Sequence, residues 1–408
     1  MSKWEEKRLE DIIDVNPPVK LKKGESYPFI DIDKVSPTRR SVTNEEVKVY
    51  DGQSSSKFCD GDTVFSRITP CLENRKIAKV AIEGDAAFGS TEFYVFRAKK
   101  KKADARFTYY LTSSDAVVLP AINSMTGASG RQRADKRFIQ RLKLNLPDLP
   151  TQERIADILS AYDDLIEANN HRIELLEQTA QELYREWFVR FRFPGYENAK
   201  FEDGIPEGWS YVRFGKAIDI IDGDRGVNYP KQEEFYPEGD CLFLNAGNVT
   251  SKGFNFSACS YITKEKDSIL RKGKLQHGDV VLTTRGTVGN VAFYNETMTF
   301  SEMRINSGMV ILRNLGVVSP EYIYTSLRHE YLQKLMTMYA SGSAQPQLPI
   351  KDMKRMKIIK PDAKTMERFT EMSADIYNQI SLLIMKNQTL AKQRDMLLPR
   401  LMSGKLEV

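Results

Sequence analysis

Residues 151–193 read TQERIADILSAYDDLIEANNHRIELLEQTAQELYREWFVRFRF, and the rest of the chain is organised around them. Ile155, Leu159, Tyr162, Ile166, Asn169, Ile173, Leu176, Ala180, Leu183 and Trp187 follow one another in alternating steps of four and three residues, the period of a coiled-coil seam. Only Asn169 among them is polar. No Gly or Pro interrupts the stretch before Pro194-Gly195. One helix from Thr151 to about Phe193 is therefore predicted, with Thr151 as N-cap and Glu153 in the first turn, where a negative charge meets the positive end of the helix dipole.

The stretch has a relative in the second half of the chain. Adding 214 to each seam position gives Phe369, Ser373, Ile376, Ile380, Leu383, Asn387, Leu390, Arg394, Leu397 and Leu401, seven of them apolar. The entry segments agree as well: Pro147-Asp148, Thr151 and Glu153-Arg154 return as Pro361-Asp362, Thr365 and Glu367-Arg368. This is an internal repeat. Each helix must bury a stripe roughly 55 Å long at about 1.5 Å per residue, and the other helix offers the matching surface. The two are expected to pack together. Asn169 and Asn387 are read as equivalent polar seam positions that fix register and that need not face one another in an antiparallel pair.

The totals bound the answer. A chain of 408 residues holds two or three domains with their own cores, and 41% apolar with 28% charged residues is ordinary for a globular protein. No apolar run approaches the roughly 20 residues that span a bilayer, and the charged stretch Met1 to Glu10 lacks the apolar core of a secretion signal, so a cytoplasmic location is expected. A formal charge of +5 permits an anionic partner without demanding one. Cys59, Cys71, Cys241 and Cys259 show no paired spacing, and His171, His277 and His329 fall in no ligand motif, so neither a disulfide framework nor a metal site is expected.

In chain order, residues 1–150 read as a mixed domain. Strand-like alternation covers Asp62 to Ile68, Lys76 to Ile82, Thr91 to Arg97 and Arg141 to Leu146, with a helix from Asp104 to about Ile122 and a Gly/Ser loop from Thr126 to Gly130. The helical segment 151–193 and a linker at 194–208 lead to a second mixed domain, 209–363, and a last helix, 364–408. The second domain echoes the first. Gly278-Asp279-Val280-Val281-Leu282 matches Gly61-Asp62-Thr63-Val64-Phe65, Ser319 to Met338 matches the helix at Asp104, and Ser341-Gly342-Ser343 matches the loop at Gly127. The frame is shared and the loops diverge, the pattern of two domains doing one job on different targets.

Catalytic motifs are missing. Asn16-Pro17-Pro18-Val19 resembles the motif of amino-methyltransferases but has Val where an aromatic ring would stack on a flipped base, and no glycine-rich cofactor loop precedes it. Neither Pro147-Asp148 nor Pro361-Asp362 is followed by the carboxylate and lysine of a metal nuclease. No phosphate loop exists, and Gly286-Thr287-Val288-Gly289 is too short for a dinucleotide fingerprint. Basic and amide-bearing loops remain. Arg67, Arg75, Lys76, Arg131, Arg133, Lys136 and Arg137 in the first domain, and Arg285, Asn290, Arg304, Gln345 and Gln347 in the second, are the candidate DNA contacts. Arg bridges guanine O6 and N7, Gln and Asn bridge adenine N6 and N7, and Lys neutralises phosphate. The run Lys99 to Lys102 is read as a solvated turn or phosphate contact.

Together these features resemble the specificity subunits of type I restriction-modification systems. The resemblance is carried by Phe65-Ser66-Arg67-Ile68-Thr69-Pro70-Cys71-Leu72-Glu73-Asn74, by the loop Ser341 to Pro349, by Leu146-Pro147 through Gln152-Glu153-Arg154-Ile155, and by the ending Leu397-Leu398-Pro399-Arg400-Leu401-Met402-Ser403-Gly404-Lys405. It implies an α+β chain: two similar mixed α/β target-recognition domains, separated by two long helices in an antiparallel coiled coil with pseudo-two-fold symmetry. It also implies that each domain reads half of a split site on double-stranded DNA, and that the helices set the gap and dock two modification subunits and the restriction subunits. No cofactor is then expected in this chain; S-adenosylmethionine, ATP and magnesium belong to the partners. The competing readings are a solitary methyltransferase or nuclease, a coiled-coil scaffold, and a DNA-binding adaptor of another defence system.

Overall fold

The computed structural model describes residues 4–37, 39–44, 46–128, 130–300, 302–342 and 345–408. Ser129 and Ser343, in the two matched Gly/Ser loops, and the first three residues of the charged start lie outside the described residues. The chain divides into two compact units, residues 1–166 with 390–408, and residues 167–389.

The long helices are Leu149–Tyr184, of 36 residues, and Ala363–Met402, of 40 residues. The predicted cap is corrected by one turn's worth of chemistry. Asp148, not Thr151, accepts the Thr151 amide at 3.1 Å, and Asp362 accepts the Thr365 amide at 3.0 Å. The repeated Pro-Asp pairs thus end a strand and cap a helix, and Thr151 and Thr365 sit buried in the first turn. The other end also differs from expectation. Regular α-helix stops at Tyr184, and a π-turn, Arg185–Val189, follows. The extra residue in that turn brings the consecutive side chains Trp187 and Phe188 inward together, against Phe369 at ring separations of 6.1 and 4.9 Å.

The helices pair antiparallel in both units. In the first, Ile155 and Leu159, both fully buried, share a core with Leu397 and Leu401, and Arg394 Nη1 lies 2.5 Å from Asp163 Oδ1. In the second, Ile173 and Ile380 are buried, and Arg172 donates to Gln379 Oε1 at 2.9 Å. Tyr162, Ile166, Leu176, Leu183, Ile376, Leu383, Asn387, Leu390 and Leu397 are half-buried. Two features of the seam depart from the sequence reading. Asn169 and Asn387 do face one another, with Asn169 Nδ2 donating to Asn387 Oδ1 at 2.7 Å. They are not repeat equivalents either: under the offset of 214, Asn169 falls on Leu383 and Asn387 on Ile173. Secondly, two carboxylates occupy the buried face beside the apolar seam residues. Asp163, 3% exposed, accepts from Tyr110 Oη at 2.5 Å, and Glu177, 8% exposed, accepts from Tyr324 Oη at 3.0 Å. Each helix packs on its unit's own helical layer as well as on its partner, so its buried face is wider than a two-stranded seam.

The two units share one topology. In the first, the main sheet runs Ile13–Val15, Phe93–Ala98, Thr63–Ser66, Ile77–Ala81, Ser41–Thr43. In the second it runs Ile218–Asp222, Met309–Asn314, Asp279–Thr283, Val291–Tyr294, the same order over the four common strands. The central strands Thr63–Ser66 and Asp279–Thr283 are buried throughout, as strands covered on both faces must be. Each unit has a second sheet with one parallel pair, Ser26–Ile30 with Ala87–Gly89 and Cys241–Leu244 with Met303–Ile305. The segment predicted as one helix from Asp104 is two helices, Ala105–Ser113 and Asp115–Asn123, broken at Ser114; its counterpart is likewise two, Pro320–Arg328 and Glu330–Tyr339. A buried aspartate closes each sheet end: Arg97 Nη2 lies 2.6 Å from Asp62 and Arg313 Nη2 lies 2.7 Å from Asp279.

Candidate nucleic-acid interface

In both units the loop leaving the central strand is tied to the loop that follows the paired helices, and the ties match bond for bond. The Arg67 amide donates to the Glu92 carbonyl at 2.9 Å, and the Thr284 amide to the Gly308 carbonyl at 2.8 Å. Ala134 donates to the Arg67 carbonyl at 2.8 Å, and Leu348 to that of Thr284 at 2.9 Å. Thr69 donates to Gln132 at 3.0 Å, and Gly286 to Pro346 at 3.1 Å. Thr126 and Arg133 exchange both main-chain bonds, as do Ser341 and Gln347. These bonds set the register. Arg67 corresponds to Thr284, Ile68 to Arg285, Arg133 to Gln347 and Glu92 to Gly308. The backbone frame is constant, and its side chains differ at each of these four positions.

Arg67 and Arg285, the arginines that closely follow the matched strands, stand one position apart in this register. Loop lengths differ between the units, so the constant offset that holds along the helices slips here.

In the first unit the frame gathers Arg67 and Arg133 on one carboxylate. Arg67 Nε lies 3.2 Å from Glu92 Oε2, and Arg133 places Nε 2.9 Å from Oε2 and Nη2 2.5 Å from Oε1. The bonded Arg133 guanidinium, with the charge of Arg67, holds the Glu92 carboxyl below its usual range. Arg67 also lies over the Tyr94 ring, 5.5 Å from its centroid. Arg131 and Arg137 are exposed and Lys136 half-buried, the last two on the short helix Lys136–Arg141 that Asp135 caps. Arg75 and Lys76 have other partners. The Arg75 guanidinium pairs with Asp115 and donates to the Ser113 carbonyl, and Lys76 Nζ donates to the Ile32 carbonyl at 2.9 Å. Arg75 lines a cavity of about 450 Å³ with Tyr109, Tyr110, Asp163 and Arg394, on the helical layer.

In the second unit Gln345 and Gln347 are exposed on the loop, and Arg285 is half-buried beside them, bridged through its main chain to Gln347. Asn290 spends its amide on the Val249 carbonyl at 3.0 Å. Arg304 is removed from the candidates. It is 5% exposed, pairs with Asp267, and donates to the carbonyls of Asp267, Leu270 and Lys272, so it holds a loop together from inside. Two residues bonded to these loops escaped the sequence reading. Glu92 is acidic, which argues against contact with a polyanion until its arginine partners are seen. Arg225, whose Nη2 donates to the Ser307 carbonyl at 3.2 Å beside Gly308, sits in a loop with no basic cluster to mark it.

Fold and loops together define a class: a duplicated recognition protein whose two lobes present different side chains from one backbone frame. Among the described residues no group of three metal-ligating side chains comes together, and no helix is long and apolar enough to cross a membrane. The sequence model of the type I restriction modification DNA specificity domain matches residues 1–178 and again 206–389, so the chain belongs to that family. It is a DNA specificity subunit of a type I restriction-modification system, the non-catalytic component of such complexes. The MjaIX specificity subunit of Methanocaldococcus jannaschii is 24% identical, over 99% of this chain and 94% of that protein. The HindI specificity subunit of Haemophilus influenzae is 23% identical, over 88% of this chain and 90% of its own length. The crystal structure of a type I S subunit from M. genitalium has the same fold, with a TM-score of 0.54 at 13% identity, covering 98% of this chain and 96% of that one.

Proposed function

We propose that each unit reads one half of a split site on double-stranded DNA, through the loops around Arg67 and Arg133 in one and around Arg285, Gln345 and Gln347 in the other. Arg131, Lys136 and Arg137, exposed or half-buried nearby in sequence, supply phosphate contacts that set position without reading bases. The observation that carries this reading is the matched set of main-chain bonds with different side chains on it. A constant frame docks in a constant way, while arginine on one copy and glutamine on the other call for different base edges.

In the same reading the paired helices fix the gap between half-sites and dock two modification subunits, which bring S-adenosylmethionine, with restriction subunits bringing ATP, magnesium and cleavage. The complex acts in the cytoplasm, where the DNA is. Target-recognition domains then correspond to residues 1–150 and 209–363, with the helices and a linker at 194–208 between and after them. The experiment is methylation sequencing of cells that carry this chain with its modification subunit. A split motif with an unspecified gap of fixed length is expected. A continuous motif, or methylation without sequence preference, contradicts the reading.

A further inference from the structure

Two arginines that come from distant parts of the chain share one carboxylate in the unit of residues 1–166 and 390–408. Glu92 receives Arg133 side-on, through Nε and Nη2, and receives Arg67 through Nε alone. A guanidinium carries five N–H donors in a rigid fork. In both side chains the edge formed by Nη1 and Nη2 therefore keeps hydrogens directed away from the carboxylate. That edge is the one that bridges O6 and N7 of a guanine.

The surroundings hold the group in place. Exposure rises from Glu92 at 20% through Arg67 at 29% to Arg133 at 45%, so the carboxylate lies inside and the guanidiniums outside it. Tyr94 lies under Arg67 and donates its hydroxyl to the Ala134 carbonyl at 2.7 Å, which pins the main chain next to Arg133. For plain attraction to phosphate this arrangement is a poor one, since Glu92 cancels one of the two positive charges. It is a good one for presenting two forks at fixed angles. The other unit lacks it: Gly308 stands in the place of Glu92, and Arg285 Nε is buried without a hydrogen-bond partner among the described residues.

The geometry points to Glu92 as the positioning residue for guanine readout, aligning Arg67 and Arg133 so that this unit selects guanine in its half of the site. The inference rests on the proposed base-reading role of these loops. Its test uses the full chain assembled with its modification subunit, selecting duplexes from a randomised library. The unaltered chain is expected to select a split motif with guanine in one half. Glu92→Gln is expected to relax that guanine preference roughly fivefold or more, to leave the other half unchanged, and to bind random DNA as well or better, since a negative charge is gone. Arg133→Lys keeps the charge, loses the fork, and is expected to relax the same positions; its side chain is exposed, so it carries the test if Glu92→Gln does not fold. A motif unchanged in both variants, or one with no guanine in either half, overturns the role of Glu92 and leaves the base-reading proposal standing. An unaltered chain that selects no motif overturns both.

Discussion

Asn169 donates its side-chain amide to the side-chain carbonyl of Asn387 at 2.7 Å, across the antiparallel helix pair. Asn387 in turn donates to Asn170 Oδ1 at 2.9 Å. The three amides form a short polar chain where the seam passes from Ile166 to Ile173. A buried amide pair of this kind favours one alignment of two helices at some cost in stability.

Replacing one partner is the informative change. Asn169→Leu leaves the Asn387 carbonyl without its donor at a half-buried position, and is expected to cost about 1 kcal/mol. The double variant Asn169→Leu, Asn387→Leu removes the unmet need and is expected to melt at or above the unaltered chain. Denaturation midpoints of the three proteins check this. A double variant less stable than the single one contradicts a direct pairing.

Glu321 gives a pH dependence of known sign. It lies in the first turn of Pro320–Arg328, half-buried, and its Oε2 has no hydrogen-bond partner among the described residues, so burial raises its carboxyl above the ordinary 4.5. The folded chain thus holds this proton more tightly than the unfolded chain does. The resulting stability is present below the ordinary value and is lost as pH rises through the raised one. Glu321→Gln cannot lose it. The stability advantage of the variant is expected to grow as pH rises above the ordinary value and to level off once the raised one is passed. An advantage independent of pH sinks the assignment.

Much of the architecture was legible because helices keep register. One offset relates Tyr110 to Tyr324, Thr151 to Thr365, and the two seams, since an insertion within a packed helix would rotate its apolar face away. Strand-to-loop turns carry no such constraint, so the separation between corresponding residues drifts there, from 214 along the helices to 217 between Arg67 and Thr284. Charge was the less reliable guide. Arg304 looks like a surface cation in one dimension and is 5% exposed in three, and Asp163 looks like a solvated residue and is 3% exposed. In both cases the partner that makes burial tolerable, Asp267 or Tyr110 with Arg394, is distant in sequence. Glu92 was overlooked for the same reason.

The spacer role of the helices is open to a direct length change. Four residues added to one helix between Ile173 and Ala180 would lengthen it by about 6 Å but break its pairing. Matched seven-residue insertions, one after Ile173 and one before Leu383, preserve the seam and lengthen the pair by about 10 Å, close to three base-pair steps. The gap in the selected motif is expected to widen by about three base pairs with both half-sites unchanged. The same gap in the selected sites rules the spacer out.

The claim that one chain carries two independent readers on a common frame is tested most directly at Arg133 and Gln347, which occupy corresponding positions in the matched bonds. The measurement is the position-by-position base preference of the assembled complex with Arg133→Ala and, separately, with Gln347→Ala. The expected result is that Arg133→Ala relaxes positions in one half-site only and Gln347→Ala positions in the other only, each by roughly 1 kcal/mol or more. Changes that fall in the same half, that spread over both, or that lower affinity evenly at every position contradict it.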